Sequence, residues 1–305
     1  MMIKLNQALR PYRISEVERD TGIAKETLRV WERRYAFPKP YRDAMGERLY
    51  PFEQVVRLKM VKRLQDQGYR PGKLLNLDFE ALETQVGSVG AQLPHSEEQS
   101  FCIDLLNLIR SHDWQEVRKR LDQCLIRDGL KKFVTDIVAP MNVLIGNAWA
   151  HGQLSIPEEH FYTEQIQTML RHSVKLLQRV NQPPKVLLTT FPDEQHTLGI
   201  LMVEALCTVE GAQCISLGGR IPIPDILDFA DAAGFNVVAL SFSRAYTPKD
   251  AIRELQDFRA RLPSNIEIWA GGGALTAAAE NLAGIHVVAQ ISDVSLLVSQ
   301  WRSQH

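Results

Sequence analysis

The chain has 305 residues, of which 45% are hydrophobic and 23% are charged, and its formal net charge is −1 at pH 7. This length predicts two or three compact domains, and the composition is typical of globular proteins without long disorder. No apolar run reaches the roughly eighteen residues of a membrane span, and the first residues lack the apolar stretch of a secretory signal. We therefore expect a cytoplasmic protein that contacts no membrane.

The charge is divided unevenly along the chain. Residues 1–80 contain 17 Lys+Arg and 11 Asp+Glu, so this segment is basic and the remainder is acidic. A basic segment favours contact with phosphates. The four cysteines are scattered and form no C-x-x-C, which indicates neither a zinc site nor a disulfide framework.

The basic segment predicts two short helices followed by a turn. Ser15 with Glu18 three residues later predicts a capped helix over 15–21 that ends near Gly22, and a second helix is expected over 24–35. Two helices joined in this way form a helix-turn-helix, whose second helix reads the major groove. Residues 51–67 predict a further amphipathic helix that ends at Gly68.

The candidate DNA contacts are charged or aromatic residues of the second helix and of the turn that follows it. On the helix, the candidates are Lys25, Glu26, Arg29 and Arg33. After it, the candidates for phosphate contacts are Tyr35, Arg42 and Arg48. The spacing alone fits a solvated, charged helix face equally well.

Residues 13–75 resemble the winged-helix head of the MerR family nearly end to end. The wing pattern R-x-x-x-G-x-R-x-Y is met by Arg42, Gly46, Arg48 and Tyr50. The resemblance implies binding to double-stranded operator DNA as a dimer or a dimer-based oligomer, and it adds Tyr50 to the DNA-binding set. Metal-sensing members carry cysteines just after the head, whereas the first cysteine here is Cys102, which disfavours metal sensing.

We predict four segments, which combine an α-helical part with an α/β part. They are a helix-turn-helix domain over 12–82, a linker over 83–97, a four-helix bundle over 98–182 and a Rossmann-like domain over 183–305. Breaks at 112–113, 127–129 and 152–157 separate the four bundle helices. In the last domain, five apolar runs alternate with helical segments, which predicts a doubly wound parallel sheet of five strands.

The loop after the first strand contains E-x-H-x-x-G, at Glu194, His196 and Gly199. A neutral imidazole is a good transition-metal ligand, and a carboxylate can fix its tautomer by accepting the other ring N–H. Glu194 is the candidate for that role, and Asp193 competes with it. Gly199 would let the backbone approach a bulky ligand, although a histidine before a helix is also common as a surface or capping residue.

Small residues end two other strands at the same edge of the sheet. Ser241 and Ser243 follow the third strand, and Gly272 and Gly273 follow the fourth. The sequence GGRIP at 218–222 keeps a nucleotide site open, but no G-x-G-x-x-G follows the first strand.

Taken in order, these motifs resemble the cobalamin-binding domain shared by methionine synthase and cobalamin-dependent mutases. The resemblance implies that His196 binds cobalt as the lower axial ligand, and that the Ser and Gly residues line a slot for the nucleotide tail. Glu194 stands where Asp is commoner.

The bundle segment resembles that of MerR-type cobalamin photoreceptor regulators through the pattern W-x(9)-E-H, at Trp149, Glu159 and His160. The resemblance implies that Trp149 covers the adenosyl group of adenosylcobalamin, and that Glu159 and His160 contact it or adjoining subunits. The same residues could instead cap the bundle core and begin a helix. The light-responsive proteins have His directly after the Trp, whereas this chain has Ala150 and then His151, turned by about 100° on a helix.

These features predict a non-enzymatic transcription regulator whose oligomeric state, dimer or tetramer, and DNA affinity are controlled by adenosylcobalamin, in the manner of a light sensor. One alternative is a MerR-like regulator that works without cobalamin, and a less favoured one is a corrinoid-dependent methyl carrier. The operator and the choice between repression and activation stay open.

Overall fold

The computed structural model describes residues 11–66, 69–79, 81–82, 97–177, 182–275 and 282–305. The chain forms two compact units. The first comprises Met1–Leu93 and Val143–Glu159, and the second comprises Pro94–Asn142 and His160–His305. No helix in the described ranges has the length and apolar character needed to cross a membrane.

The N-terminal head is a small helix-turn-helix domain with a three-stranded sheet. Its elements are β1 (Tyr12–Arg13), α1 (Ile14–Thr21), α2 (Lys25–Tyr35), β2 (Tyr41–Arg42), β3 (Arg48–Tyr50), α3 (Phe52–Asp66) and α4 (Pro71–Leu74). The antiparallel strand order is β1-β3-β2. Helix α1 ends as predicted, because Gly22 adopts φ 68° and its N–H donates to the Glu18 carbonyl. Gly68, the predicted end of α3, lies outside the described residues.

Helices fill the middle of the chain. They are α5 (Glu97–Arg110), α6 (Trp114–Lys132), a π-helical turn (Phe133–Val138), α7 (Ala139–Ala150) and α8 (Ile156–Leu177). The break predicted at 127–129 is a kink inside α6, because Gly129 adopts φ 76° and ψ 166° without ending the helix. Of the predicted linker, residues 83–96 lie outside the described ranges and Glu97 already begins α5.

The C-terminal part is the predicted five-stranded parallel sheet flanked by helices. Its elements are β4 (Gln182–Thr189), α9 (Leu198–Val209), β5 (Ala212–Gly218), α10 (Ile223–Ala232), β6 (Val237–Ser241), α11 (Pro248–Arg261), β7 (Glu267–Gly271), β8 (His286–Val288) and α12 (Asp293–Gln304). The helix expected between β7 and β8 falls mainly on residues 276–281, outside the described residues. The strand order is β5-β4-β6-β7-β8. The order reverses between β4 and β6, and ligands of doubly wound sheets bind at such a point.

Candidate functional site

The loops after β4 and β6 meet through a buried carboxylate at this reversal point. The Glu194 side chain is 1% exposed. It accepts hydrogen bonds from the backbone N–H of His196 (2.7 Å), from the backbone N–H of Ser243 (2.6 Å) and from the Ser243 hydroxyl (3.0 Å). Glu194 therefore fixes the two loops to one another.

The imidazole of His196 is held by the same carboxylate. Its Nδ1 lies 2.8 Å from Glu194 Oε1 and 3.0 Å from Ser243 Oγ, while the side chain is 61% exposed. A carboxylate acceptor selects the tautomer with the proton on Nδ1, so the lone pair is on Nε2, as a metal ligand requires. Of the two candidate carboxylates, Glu194 is thus the one that orients the ring, and Asp193 is exposed.

The hydrogen bonds determine the charge of Glu194. Burial opposes its ionisation, but the hydrogen bonds from His196 and Ser243 outweigh burial and lower the pKa of Glu194 below its ordinary value of 4.5. At neutral pH the group is a carboxylate, and it can stabilise positive charge on the ring that it orients.

Three glycines at this edge make close packing contacts. A Cβ on Gly199 would collide with the Ser241 hydroxyl, so the first turn of α9 lies directly against the end of β6. The structure gives Gly199 this packing reason, and its predicted closeness to a bulky ligand stays a prediction. Gly272, at φ 109°, lies against the Phe242 carbonyl. Gly273 lies against the side chain of Arg244.

Trp149 belongs to the same compact unit as the head and contacts it. Its ring lies 4.9 Å from the Lys59 ammonium, which comes from α3 and belongs to a residue that is only 7% exposed. Burial lowers the pKa of Lys59, and the charge of Asp20 opposes this effect. Gly152 adjoins α3 as well, because a Cβ there would lie 2.6 Å from Val56 Cγ2.

The residue directly after Trp149 is Ala150, and His151 follows it. Ala150 is fully buried. The His151 ring is tied to its own helix, with Nδ1 2.7 Å from the carbonyl of Asn147. The His151 imidazole is therefore held against the end of α7.

Glu159 and His160 lie at the start of α8. Ser155 precedes the helix, and both its backbone N–H and its hydroxyl donate to the buried carboxylate of Glu158, at 2.6 and 2.8 Å. Glu158 therefore fixes the first turn of α8. In the same turn, Glu159 is half-buried and His160 is exposed.

In the head, α2 carries the predicted charged face, although one member is already engaged. Glu26, Arg29 and Arg33 are exposed. The Lys25 ammonium lies 3.1 Å from the Glu18 carboxylate, so this lysine ties α2 to α1.

The predicted contacts beyond α2 divide into surface and core residues. Arg42 is exposed and donates to the Gly46 carbonyl across the turn, at 2.6 Å. Arg48 pairs with Glu32 at 2.9 Å, and half-buried Tyr35 contacts Gly72.

Tyr50 is fully buried, and burial raises its pKa to about 12. The prediction that Tyr50 contacts DNA is corrected, since its ring packs in the core of the head.

A groove of about 310 Å³ on the head is lined by three arginines, Arg13, Arg29 and Arg48. Arg13 was missed at the sequence level. It immediately precedes α1, and the wing reaches it only in the folded head, where Glu47 lies 3.6 Å from its guanidinium. Glu47 also lines the groove, so three arginines and one glutamate give it a net positive charge that suits phosphates.

A search of curated proteins finds 31% identity over 275 residues with the HTH-type transcriptional repressor CarH of Myxococcus xanthus, covering 88% of this chain and 90% of that protein. This protein belongs to the MerR-type regulators that carry a cobalamin-binding module. The HTH-type transcriptional repressor CarA of the same organism is 26% identical over 80% of this regulator and 81% of its own length.

Family models match each part of the regulator separately. Residues 12–74 match the MerR HTH family regulatory protein, and 104–172 and 184–294 match two B12 binding domains. The predictions of a MerR head and of a cobalamin module are thereby confirmed.

Among solved structures, the Methanosarcina barkeri monomethylamine corrinoid protein covers 65% of the regulator and 96% of its own chain. Its TM-score is 0.53 at 12% identity, so it supports the fold alone.

Proposed function

We propose that this regulator binds adenosylcobalamin through His196, that the bound state favours one oligomer, and that light changes oligomeric state and operator affinity together. Adenosylcobalamin, when bound, supplies a cobalt–carbon bond that light can break.

The orientation of His196 by Glu194 carries this proposal. An imidazole whose Nδ1 faces a buried, ionised carboxylate presents its Nε2 lone pair, and its side chain is 61% exposed at the edge where ligands bind. The residues present therefore fit a cobalt ligand. Ser241, Ser243, Gly272 and Gly273 are proposed to line the space for the nucleotide tail, and Trp149, Glu159 and His160 to contact the adenosyl side.

DNA binding belongs to the head. We propose that Arg29 and Arg33 of α2 approach the major groove, accompanied there by Lys25 and Glu26. Arg42 and Arg48 would bind phosphates, with Tyr35 beside them. Both named relatives are repressors, which favours repression for this regulator.

The link between the two functions is mass action. A cofactor that binds one oligomer more tightly than another shifts the equilibrium towards the oligomer that it prefers. The size of the shift is set by the difference between the two affinities. An oligomer presents several heads at once, so its operator affinity exceeds that of a single head.

The test uses the full-length protein loaded with adenosylcobalamin in darkness. Desalting should leave a protein-bound corrin spectrum, size-exclusion chromatography should show a larger species in darkness than after green light, and an operator-binding assay should follow that change. His196→Ala should lose the cofactor, and Asp193→Ala should keep it. A corrinoid that passes freely through the desalting column would refute the proposal.

A cobalamin-independent regulator is the second candidate, and buried Ala150 is the observation that favours it, because one predicted ligand position is lost. The same experiment separates the two, since this candidate expects operator binding that neither cobalamin nor light alters.

A further inference from the structure

Arg244 lies at the candidate cofactor edge, directly after Ser243. Its side chain runs across Gly273, where a Cβ would lie 3.2 Å from the Arg244 Nε and 3.3 Å from its Cδ, with Cγ closer still. Because Gly273 has no side chain, the aliphatic part of the Arg244 side chain can lie against the loop after β7. The loops after β6 and β7 are brought together by this contact.

Among the described residues, none supplies a hydrogen-bond acceptor for the Arg244 guanidinium. Its side chain is half-buried, burial lowers its pKa, and no hydrogen bond or ion pair joins it to any residue in the described ranges. Arg259 in the same domain shows the usual arrangement, because it is also desolvated but donates to the carbonyls of Leu262, Pro263 and Ile266. A partly desolvated guanidinium gains a charged hydrogen bond when a ligand supplies the acceptor.

The chemistry of the missing partner follows from the guanidinium and its place. A planar fork of N–H donors matches the two oxygens of a phosphate or carboxylate. The groups around it are already engaged, since the Ser243 hydroxyl donates to Glu194 and the Phe242 carbonyl accepts from the N–H of Ala274. An external anion therefore fits the guanidinium better than these neighbours do.

We propose that Arg244 binds the phosphodiester of the nucleotide tail of cobalamin. This inference rests on the proposed function and extends it, because it assigns the charge of the tail to a named side chain. The corrin itself carries neutral amides around its rim, so the phosphodiester is the anionic group of the cofactor that a guanidinium would recognise. Arg244 would then favour complete cobalamins over corrinoids that lack the tail.

The test compares two ligands with the full-length protein in darkness. Adenosylcobalamin contains the phosphodiester, and adenosylcobinamide keeps the corrin and adenosyl group but lacks the tail. Arg244→Gln should weaken adenosylcobalamin binding at least about 10-fold, as expected for the loss of a charged hydrogen bond, and leave adenosylcobinamide binding unchanged. Arg244→Lys should keep part of the affinity, because it keeps the charge and loses the fork.

The matched control is Arg261→Gln, which removes an exposed arginine at the end of α11 and should change neither affinity. Equal weakening of both ligands by Arg244→Gln, or no weakening, would overturn the assignment and leave the proposed function standing. Tighter cobalamin binding by that variant would overturn it too, because the arginine would then occupy the space of the tail. A wild-type protein that binds neither ligand would refute the proposed function itself.

Discussion

At the scale of single residues, the cofactor edge depends on one buried carboxylate. Glu194 accepts two hydrogen bonds from Ser243 that join the loop after β6 to the loop after β4, and its contact with His196 Nδ1 selects the tautomer of that ring. Removing the Glu194 carboxylate should therefore disturb His196, the proposed cobalt ligand, although Glu194 is not itself proposed to bind cobalt.

Glu194→Gln should lower the affinity for adenosylcobalamin about 10- to 100-fold, which is the usual effect of removing a group that orients a metal-binding histidine. The amide can donate as well as accept, so the Nδ1–H tautomer is no longer enforced. Asp193→Asn, one residue earlier and exposed, is the matched control and should bind normally. Equal affinity in the two variants, measured by absorption titration, would contradict this role.

The lowered pKa of Glu194 also predicts a pH dependence of stability. Because the pKa is lower in the folded protein, the unfolded chain takes up the proton first as the pH falls. The stabilisation by the carboxylate is therefore complete above about pH 4.5, the ordinary value, and is lost as the pH drops through the folded-state pKa.

Urea unfolding of the cofactor-free wild type and of Glu194→Gln measures this effect. The difference in the free energy of unfolding should be largest near neutral pH and should shrink as the pH falls from 4.5 through the lower folded-state pKa, below which both side chains are uncharged. A difference that stays constant down to acid pH would show that the carboxylate charge contributes nothing.

At the scale of elements, the end of α7 and the residues directly after it belong to the same compact unit as α3 and pack closely against it at Gly152. This glycine has φ 66°, and a Cβ there would lie 2.6 Å from Val56 Cγ2 and 3.3 Å from Phe52 Cζ. Trp149 adds its contact with Lys59 a turn earlier. Any movement of the end of α7 should therefore be felt by α3 of the head.

Gly152→Ala should destabilise the protein by about 1–3 kcal/mol, since it combines overpacking with a left-handed backbone conformation. Gly146→Ala is the matched control inside α7, where no atom lies within 4 Å of the new methyl group. That variant should be neutral or more stable by up to about 1 kcal/mol, because alanine favours a helix. Equal midpoints of urea unfolding for the two variants would contradict the close packing.

The elements themselves could be predicted from the sequence because their signals are local. The periodicity of apolar residues predicted the helices, and the apolar runs predicted the five strands of the parallel sheet. Gly22 indicated the end of α1. The contact of Gly152 with Val56 could not be predicted, because it joins residues almost a hundred positions apart. The same holds for the core position of Tyr50 and for the contact of Gly199 with Ser241, which depend on tertiary packing.

The sequence predicted which residues lie at the candidate site, but it did not predict the hydrogen bonds that join them. Motifs at the ends of strands placed Glu194, His196 and Ser243 at one edge. The choice of Glu194 over Asp193 required the burial of one carboxylate and the exposure of the other. Arg244 carried no sequence signal, since a single arginine after a serine is common and its contact with Gly273 appears only in the folded protein.

At the scale of the whole molecule, DNA binding and cofactor binding are assigned to different parts, and they should be separable by mutation. Arg29 is exposed on α2 and lines the basic groove, whereas His196 lies at the edge of the parallel sheet. Variants of the two residues should therefore change different quantities in one assay. That assay is operator affinity of the adenosylcobalamin-treated protein, measured in darkness and after green light at one salt concentration.

His196→Ala should reduce the ratio of dark to light affinities to one and leave the affinity of the light state unchanged, because the head is intact and only the dark oligomer is lost. Arg29→Gln should weaken operator binding in both states by about 1–3 kcal/mol and preserve the ratio, because it removes a DNA contact and leaves the cofactor in place. If His196→Ala kept a dark-to-light ratio like that of the wild type, the imidazole would not transmit the signal. If Arg29→Gln lowered the affinity and also brought the dark-to-light ratio to one, the head would take part in sensing. The assignment of DNA binding and cofactor binding to separate parts would then be wrong.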